Sequence, residues 1–234
     1  MDLANKTAMI TGAVGNLGTA VSTGLKAAGA KTIVVDRSQE RLEQIYKSGP
    51  ECLLAGNADL TSEESVGKVV ASALKHFGRI DALINTVGGF RGGKAAHEED
   101  LSTWDMMMMV NLRTTVLMCR AVIPAMLANG AGSIVNVSAG AALSGPPGLA
   151  AYSASKAAVL RFTESLAAEV KASGIRVNAV LPGTIDTPQN RQAMPDADVS
   201  TFVKPEAIAD VIAFFVSDAS RAVTGVAFPV FGRG

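Results

Sequence analysis

Tyr152 and Lys156 stand four residues apart in Tyr152-Ser153-Ala154-Ser155-Lys156, inside an alanine-rich run from Ala150 to Val170 that predicts a helix. Residues at i and i+4 share a helical face, so a phenol and an ammonium can point into one site. A free phenol, with a pKa of about 10, exchanges protons poorly at neutral pH. A nearby ammonium favours the phenolate, and each unit of depression corresponds to about 1.4 kcal/mol. Ser138 follows the apolar run Ser133-Ile134-Val135-Asn136-Val137, which predicts a buried strand. Its hydroxyl then falls at a carboxyl edge of the sheet, where open α/β folds bind ligands. Together these groups could move a proton to or from a substrate oxygen. Alone, the Tyr–Lys spacing fits a surface tyrosine beside a solvated lysine equally well.

The elements that would position these groups alternate strand and helix. Lys6 to Thr11 is a short apolar run leading into Thr11-Gly12-Ala13-Val14-Gly15-Asn16-Leu17-Gly18, and an amphipathic stretch follows from about Leu17 to Ala28. A glycine-rich turn between strand and helix lets backbone approach a pyrophosphate while the helix end supplies N–H groups and dipole. The second strand, Lys31 to Asp36, ends in an acid at the distance suited to a ribose. Asp36 can accept both hydroxyls of the NAD ribose and would repel the 2′-phosphate of NADP, whereas Arg37 could accept that phosphate. NAD(H) is therefore the expected cofactor, with NADP(H) not excluded.

Asp59 and Leu60, after a third strand near Cys52 to Ala55, lie where an adenine amino group could be met, although Asp59 also suits an ordinary loop. Thr61-Ser62-Glu63-Glu64 reads as a capping box. A fourth strand, Asp81 to Asn85, runs into Asn85-Thr86-Val87-Gly88-Gly89, where paired glycines suggest backbone close to a ligand. A long helix from about Ser102 to Leu127 carries Met106 to Met109 and Asn111. Asn111 is unfavourable in a helix interior, so a buried partner is expected. Ile175 to Val180 is a sixth strand, Pro205 opens the last long helix, and Val223 to Val230 is a seventh strand. The pattern predicts a single α/β domain, 1–234, with a doubly wound, seven-stranded parallel sheet of Rossmann type and helices on both faces.

Composition narrows the function classes. Residues are 48% hydrophobic and 18% charged, which suits a large buried core. Lys+Arg and Asp+Glu are equal at 21 each, so no charge excess favours nucleic acid or an anionic membrane. No apolar run reads as a span of roughly 20 residues, and Met1 to Lys6 lacks a signal-peptide core. Cys52 and Cys119 form no framework, and with His76 and His97 they offer no metal-ligand spacing. A cytoplasmic protein without a metal is the expectation.

These motifs resemble the short-chain dehydrogenase/reductase family over essentially the whole chain. Thr11-Gly12 to Gly18 resembles its phosphate turn, with Asn16 in place of the middle glycine. Asn85-Thr86-Val87-Gly88 is similar to its strand-four motif, altered at the two middle positions. Asn111, Ser138, Tyr152 and Lys156 match its catalytic tetrad, and Pro182, Gly183, Ile185 and Thr187 match the segment that holds the nicotinamide carboxamide. The resemblance implies a hydride-transferring oxidoreductase acting on a small carbonyl or alcohol, with Lys156 also on the nicotinamide ribose and Asn111 positioning a water. It further implies a homodimer or homotetramer built on the Ser102–Leu127 and Ala150–Val170 helices. A narrower likeness, in Gly88 to Gly93 and in Leu181 to Asp198, is to dihydropteridine reductase, whose pattern uses the tyrosine and lysine without the serine. A catalytically silent NAD-binding protein would need the cofactor motifs and not the tetrad.

Overall fold

The structure, a computed structural model, describes residues 1–233. Seven strands form one sheet: β1 (Thr7–Thr11), β2 (Lys31–Val35), β3 (Cys52–Ala55), β4 (Ala82–Asn85), β5 (Gly132–Val137), β6 (Ile175–Pro182) and β7 (Ala227–Val230). Their order is β3-β2-β1-β4-β5-β6-β7 and every pairing is parallel. Parallel sheets are covered on both faces, so their strands read as near-continuous apolar runs. All five residues of β1 are buried accordingly.

The helices are α1 (Asn16–Ala27), α2 (Gln39–Ile45), α3 (Glu63–Phe77), α4 (Leu101–Met107), α5 (Thr114–Asn129), α6 (Ala150–Val170), α7 (Pro188–Ala193) and α8 (Pro205–Val216). One face of the sheet packs Leu17, Val21 and Leu25 of α1 with Ile208, Ile212 and Phe215 of α8. The other face packs Val66 and Val70 of α3, Met118 and Val122 of α5, and Leu166 and Val170 of α6. The chain builds β1 to β3 outward in one direction, then places β4 on the other side of β1. That reversal opens a crevice at the carboxyl ends of β1 and β4, where doubly wound folds bind ligands.

Beyond one-residue shifts at strand ends, three elements differ from expectation. The seventh strand is shorter, because Thr224 Oγ1 accepts from Val177 N, Val223 O accepts from Asn178 Nδ2, and Gly225 turns the chain at φ +76°. The sixth strand continues to Pro182. The long helix, Leu101–Asn129, carries a π-helical turn over Met108–Arg113. With a mean hydropathy of 1.4 over its most apolar window, this helix is also long and apolar enough to cross a membrane by composition, which the sequence reading missed. Its inner face is spent on the core, with Met107, Met118, Val122 and Met126 nearly inaccessible.

Candidate active site

The tetrad residues converge at the carboxyl ends of β4 and β5. Lys156 is 5% exposed, and its Nζ donates to Val137 O at 3.1 Å. Burial pushes this ammonium down to about 8. Tyr152, one turn earlier on α6, is half-buried, and burial raises its phenol. The expected lowering by Lys156 is thus not the dominant effect here: desolvation of the phenol wins, and Nζ is engaged by a strand carbonyl. Ser138 Oγ donates to Lys156 O at 2.8 Å, which ties the end of β5 to α6. To hold a substrate oxygen, that hydroxyl must turn its proton away from the helix.

Asn111 finds the buried partners its sequence position demanded. Its Oδ1 accepts from Gly89 N at 2.8 Å, while Nδ2 donates to Gly89 O at 3.1 Å and to Ser155 Oγ at 2.9 Å. Its own carbonyl accepts from Thr115 Oγ1. A π turn adds a residue to the helical ladder and frees local geometry, a device common at functional sites. Here it carries a side chain that hydrogen-bonds both the β4 loop and α6. A Cβ on Gly88 would lie 3.0 Å from both Asn111 Oδ1 and Lys156 Nζ. Lysine, asparagine and the glycine backbone therefore meet at one point. Ser155, which sequence reasoning passed over, links Asn111 to Tyr152 O at 2.7 Å. Only its spacing of three from Tyr152 could have signalled it.

The phosphate turn has the shape its glycines suggested. Gly12 is left-handed at φ +63°, and a Cβ on Gly18 would sit 2.2 Å from Gly12 O, so only glycine lets α1 pack this closely on β1. Asn16, by contrast, begins α1 in ordinary helical backbone, and Asn57 is the one non-glycine with positive φ among the described residues. Tolerance of a left-handed backbone is therefore not the reason for Asn16. The N-cap Gly15 offers no side-chain bond and the first turn of α1 carries no acid, which leaves its N–H groups and dipole for an anion.

Asp36 sits just past β2, oriented by Val14 N and Ser38 N at 3.3 Å each, with Arg37 exposed beside it. Asp59 is exposed and accepts from the backbone and hydroxyl of Thr61, which hold its carboxyl below the usual range, and Leu60 is buried. The side chain of Asn85 turns into the sheet. It is buried and donates to Asn136 Oδ1 at 2.9 Å inside the sheet. Val87 packs beside Gly12, 3.1 Å from where a Cβ there would be. Pro182 ends β6, and Gly183 N donates to Val230 O. Ile185 O accepts from Asn190 Nδ2, and Thr187 Oγ1 caps α7 by accepting from Asn190 N at 3.1 Å. The glycine cradle, open helix end and oriented carboxylate fit a dinucleotide laid across the carboxyl edge.

The short chain dehydrogenase family matches residues 6–198. The chain belongs to that family. The 3-oxoacyl-(acyl-carrier-protein) reductase of Thermotoga maritima is 36% identical over 99% of this chain and 98% of its own. The 2-(R)-hydroxypropyl-CoM dehydrogenase of Xanthobacter autotrophicus is 34% identical over 97% and 98%. Among solved structures, the 3-ketoacyl-(acyl-carrier-protein) reductase of Brucella melitensis, complexed with NADH, superposes with a TM-score of 0.87 at 32% identity and 99% coverage of both chains. The protein is an oxidoreductase of the class that interconverts CH–OH and C=O.

In this short-chain dehydrogenase two loops meet beside Tyr152. Phe90 is 56% exposed and packs edge-on against Tyr152, ring centres 5.0 Å apart. Glycines flank it at 88–89 and 92–93, and Gly93 N donates to Gly148 O at 2.8 Å. A hollow of about 670 Å³ lies beside the second loop, lined in part by Ala95, Leu143, Pro146 and Ser153, and none of the tetrad residues lines it.

Proposed function

We propose that the protein transfers a hydride between NAD(H) and a small carbonyl or alcohol through Asn111, Ser138, Tyr152 and Lys156. The observation that carries this reading is the meeting of Lys156 Nζ and Asn111 Oδ1 at Gly88, next to Tyr152 and Ser138. Gly12, Leu17 and Gly18 would hold the pyrophosphate and Asp36 the adenosine ribose. Pro182, Gly183, Ile185 and Thr187 would hold the nicotinamide, which when bound supplies or accepts the hydride. Tyr152 gives its phenolic proton to the substrate oxygen during reduction and takes it back during oxidation. Ser138 donates to the same oxygen as charge develops on it, once turned from Lys156 O. Lys156, as an ammonium, favours the phenolate that each turnover leaves behind. Asn111 fixes the β4 loop against α6 so that these groups keep their spacing.

Asp36, oriented by Val14 N and Ser38 N, favours NADH over NADPH, against two nearby arginines: Arg37 beside it and Arg41, whose Nη2 donates to Val14 O at 3.4 Å. Ser138 suits a carbonyl or alcohol oxygen and sets the reading apart from reduction of a quinonoid dihydropterin. The relatives' names point the same way, to keto and hydroxyl groups. Oxidation of NADH over a panel of ketones, with quinonoid dihydropterin alongside, tests the proposal. Turnover of ketones that vanishes in Tyr152→Phe supports it, turnover of the pterin alone replaces the substrate class, and NADH binding without any turnover leaves a silent binding protein. Met106, Met108 and Met109, each about 40% exposed on the π-turned helix, suit a contact with a second copy. Light scattering at micromolar concentration should show a dimer or tetramer.

A further inference from the structure

Asn16 stands where the family pattern has glycine, and its backbone conformation gives no reason for the exchange. Its side chain does. Asn16 Nδ2 donates to Gln189 Oε1 at 2.9 Å, a contact between residues 173 apart in the chain. Asn16 opens α1, which follows β1, and Gln189 lies in the first turn of α7, which follows β6. Strands β4 and β5 lie between β1 and β6. Three strand spacings of about 4.8 Å put the two strand ends roughly 14 Å apart, so the amides meet over the trough between them.

Gln189 is held in place by its own segment. Thr187 caps α7, Pro188 fixes its first turn, and Asn190 Nδ2 bonds Ile185 O. Arg191 forms a two-pronged pair with Asp186 at 2.6 and 2.8 Å, and Asp186 N donates to Val203 O. The rim of the trough is thus a rigid mount presenting an amide toward the phosphate turn. The contact itself is between exposed, neutral groups and is weak enough to open and close.

We propose that Asn16 and Gln189 are cofactor-positioning residues, forming a strap that closes over the dinucleotide between its adenosine and nicotinamide ends and slows its release. The inference rests on the dinucleotide reading above and adds residues from opposite rims of the cleft that act as one device. A neutral hydrogen bond of this kind should change the release rate by roughly three- to tenfold. Stopped-flow displacement of NADH, followed by its fluorescence, from Asn16→Gly, Gln189→Ala and the double variant reads it directly. Each single change should speed release, and the double variant should match the singles rather than multiply them. Melting of the cofactor-free variants should stay close to that of the unaltered protein. Unchanged release in both singles, or independent multiplication in the double, overturns the strap. Equal losses of melting temperature with and without NADH reduce the contact to a fold support and overturn it too. Failure of the unaltered protein to bind NADH would instead overturn the dinucleotide reading.

Discussion

The corner around Lys156 and the rim around Phe90 lie against one another and are built on opposite terms. Asn111, Ser138 and Lys156 are 1%, 4% and 5% exposed, and hydrogen bonds fix each of them to another segment. Phe90 and Leu143 are each 56% exposed and sit on glycine-rich loops. A buried polar group without partners costs roughly 1–3 kcal/mol, so the corner tolerates few substitutions. Exposed loop residues carry no such penalty and can vary with the substrate. On the proposed reading, chemistry resides in the corner and choice of substrate in the rim.

The sharpest way to break this contrast is to remove the proton donor. Tyr152→Phe keeps the ring and its contact with Phe90 but loses the hydroxyl. Turnover should fall by roughly 10²–10⁴-fold, the usual range for a general acid or base. NADH affinity should be nearly unchanged. Lys156→Ala should lower both turnover and cofactor binding, because the lysine is assigned to both. Equal loss of NADH affinity in the two variants, measured by fluorescence titration, would contradict the division of roles.

A smaller effect concerns what the corner costs the fold. Lys156 is pushed from the ordinary 10.5 to about 8 by burial. Between those values the unfolded chain holds a proton that the folded chain has released, so stability rises with pH through that window. Below pH 8 the whole penalty is present, on the order of 3 kcal/mol for a shift of this size. Lys156→Met should therefore stabilise the cofactor-free protein at pH 7, with the gain shrinking toward pH 10.5. Urea unfolding across that range checks it, and a gain independent of pH would mean that the side chain, not its charge, is responsible.

Asp36 carries a lesser effect and tests the outer end of the cleft. Asp36→Ala removes the acceptor for the ribose hydroxyls and the repulsion of a 2′-phosphate. The ratio of kcat/KM for NADH over NADPH should drop by roughly tenfold, as loss of hydrogen bonds to a charged group suggests. An unchanged ratio would assign cofactor choice to Arg37.

The corner was legible in the chain because proton transfer restricts residue types and helical spacing restricts their positions. Tyr152, Lys156, Ser138 and the strand ends could be read that way. Burial was legible in kind, since Asn111 in an apolar helix called for a partner. Its partners were not, because Gly89 and Ser155 reach it only through the tertiary fold. The π turn left no local mark, and scattered charges at Asp105, Arg113 and Arg120 masked how apolar the Leu101–Asn129 helix is, although its length was read nearly in full. Asn16 was visible as a departure, but its bond to Gln189 was not, because nothing near it in the chain points across the sheet. At Asn85 too the side-chain partner was hidden: its amide donates to Asn136 inside the sheet, which leaves the backbone as the part of this motif position that can face a cofactor.

The rim gives the smallest expected effect and the finest test. Between β6 and α8 the chain forms only the six-residue α7 and one 3₁₀ turn, Val199–Thr201, and no residue of either is buried. Met194 and Val199 are 36% and 41% exposed, so this segment offers little apolar surface to close over a long chain. A lid works by burying surface and excluding water, and this one has little to bury. Phe90 is then the main apolar wall near Tyr152, and an edge-on aromatic pair is worth about 0.5–1.5 kcal/mol beyond its buried area. Compact cyclic ketones that can lie against that ring should react more efficiently than linear ones. Phe90→Ala should raise KM for them by roughly three- to tenfold, in line with that pair energy, with kcat less affected. Efficiency across 3-oxoacyl substrates should stay flat as the chain lengthens. A steady rise with acyl length, unaffected by Phe90→Ala, would place an apolar channel elsewhere and show that substrate choice does not reside in this rim.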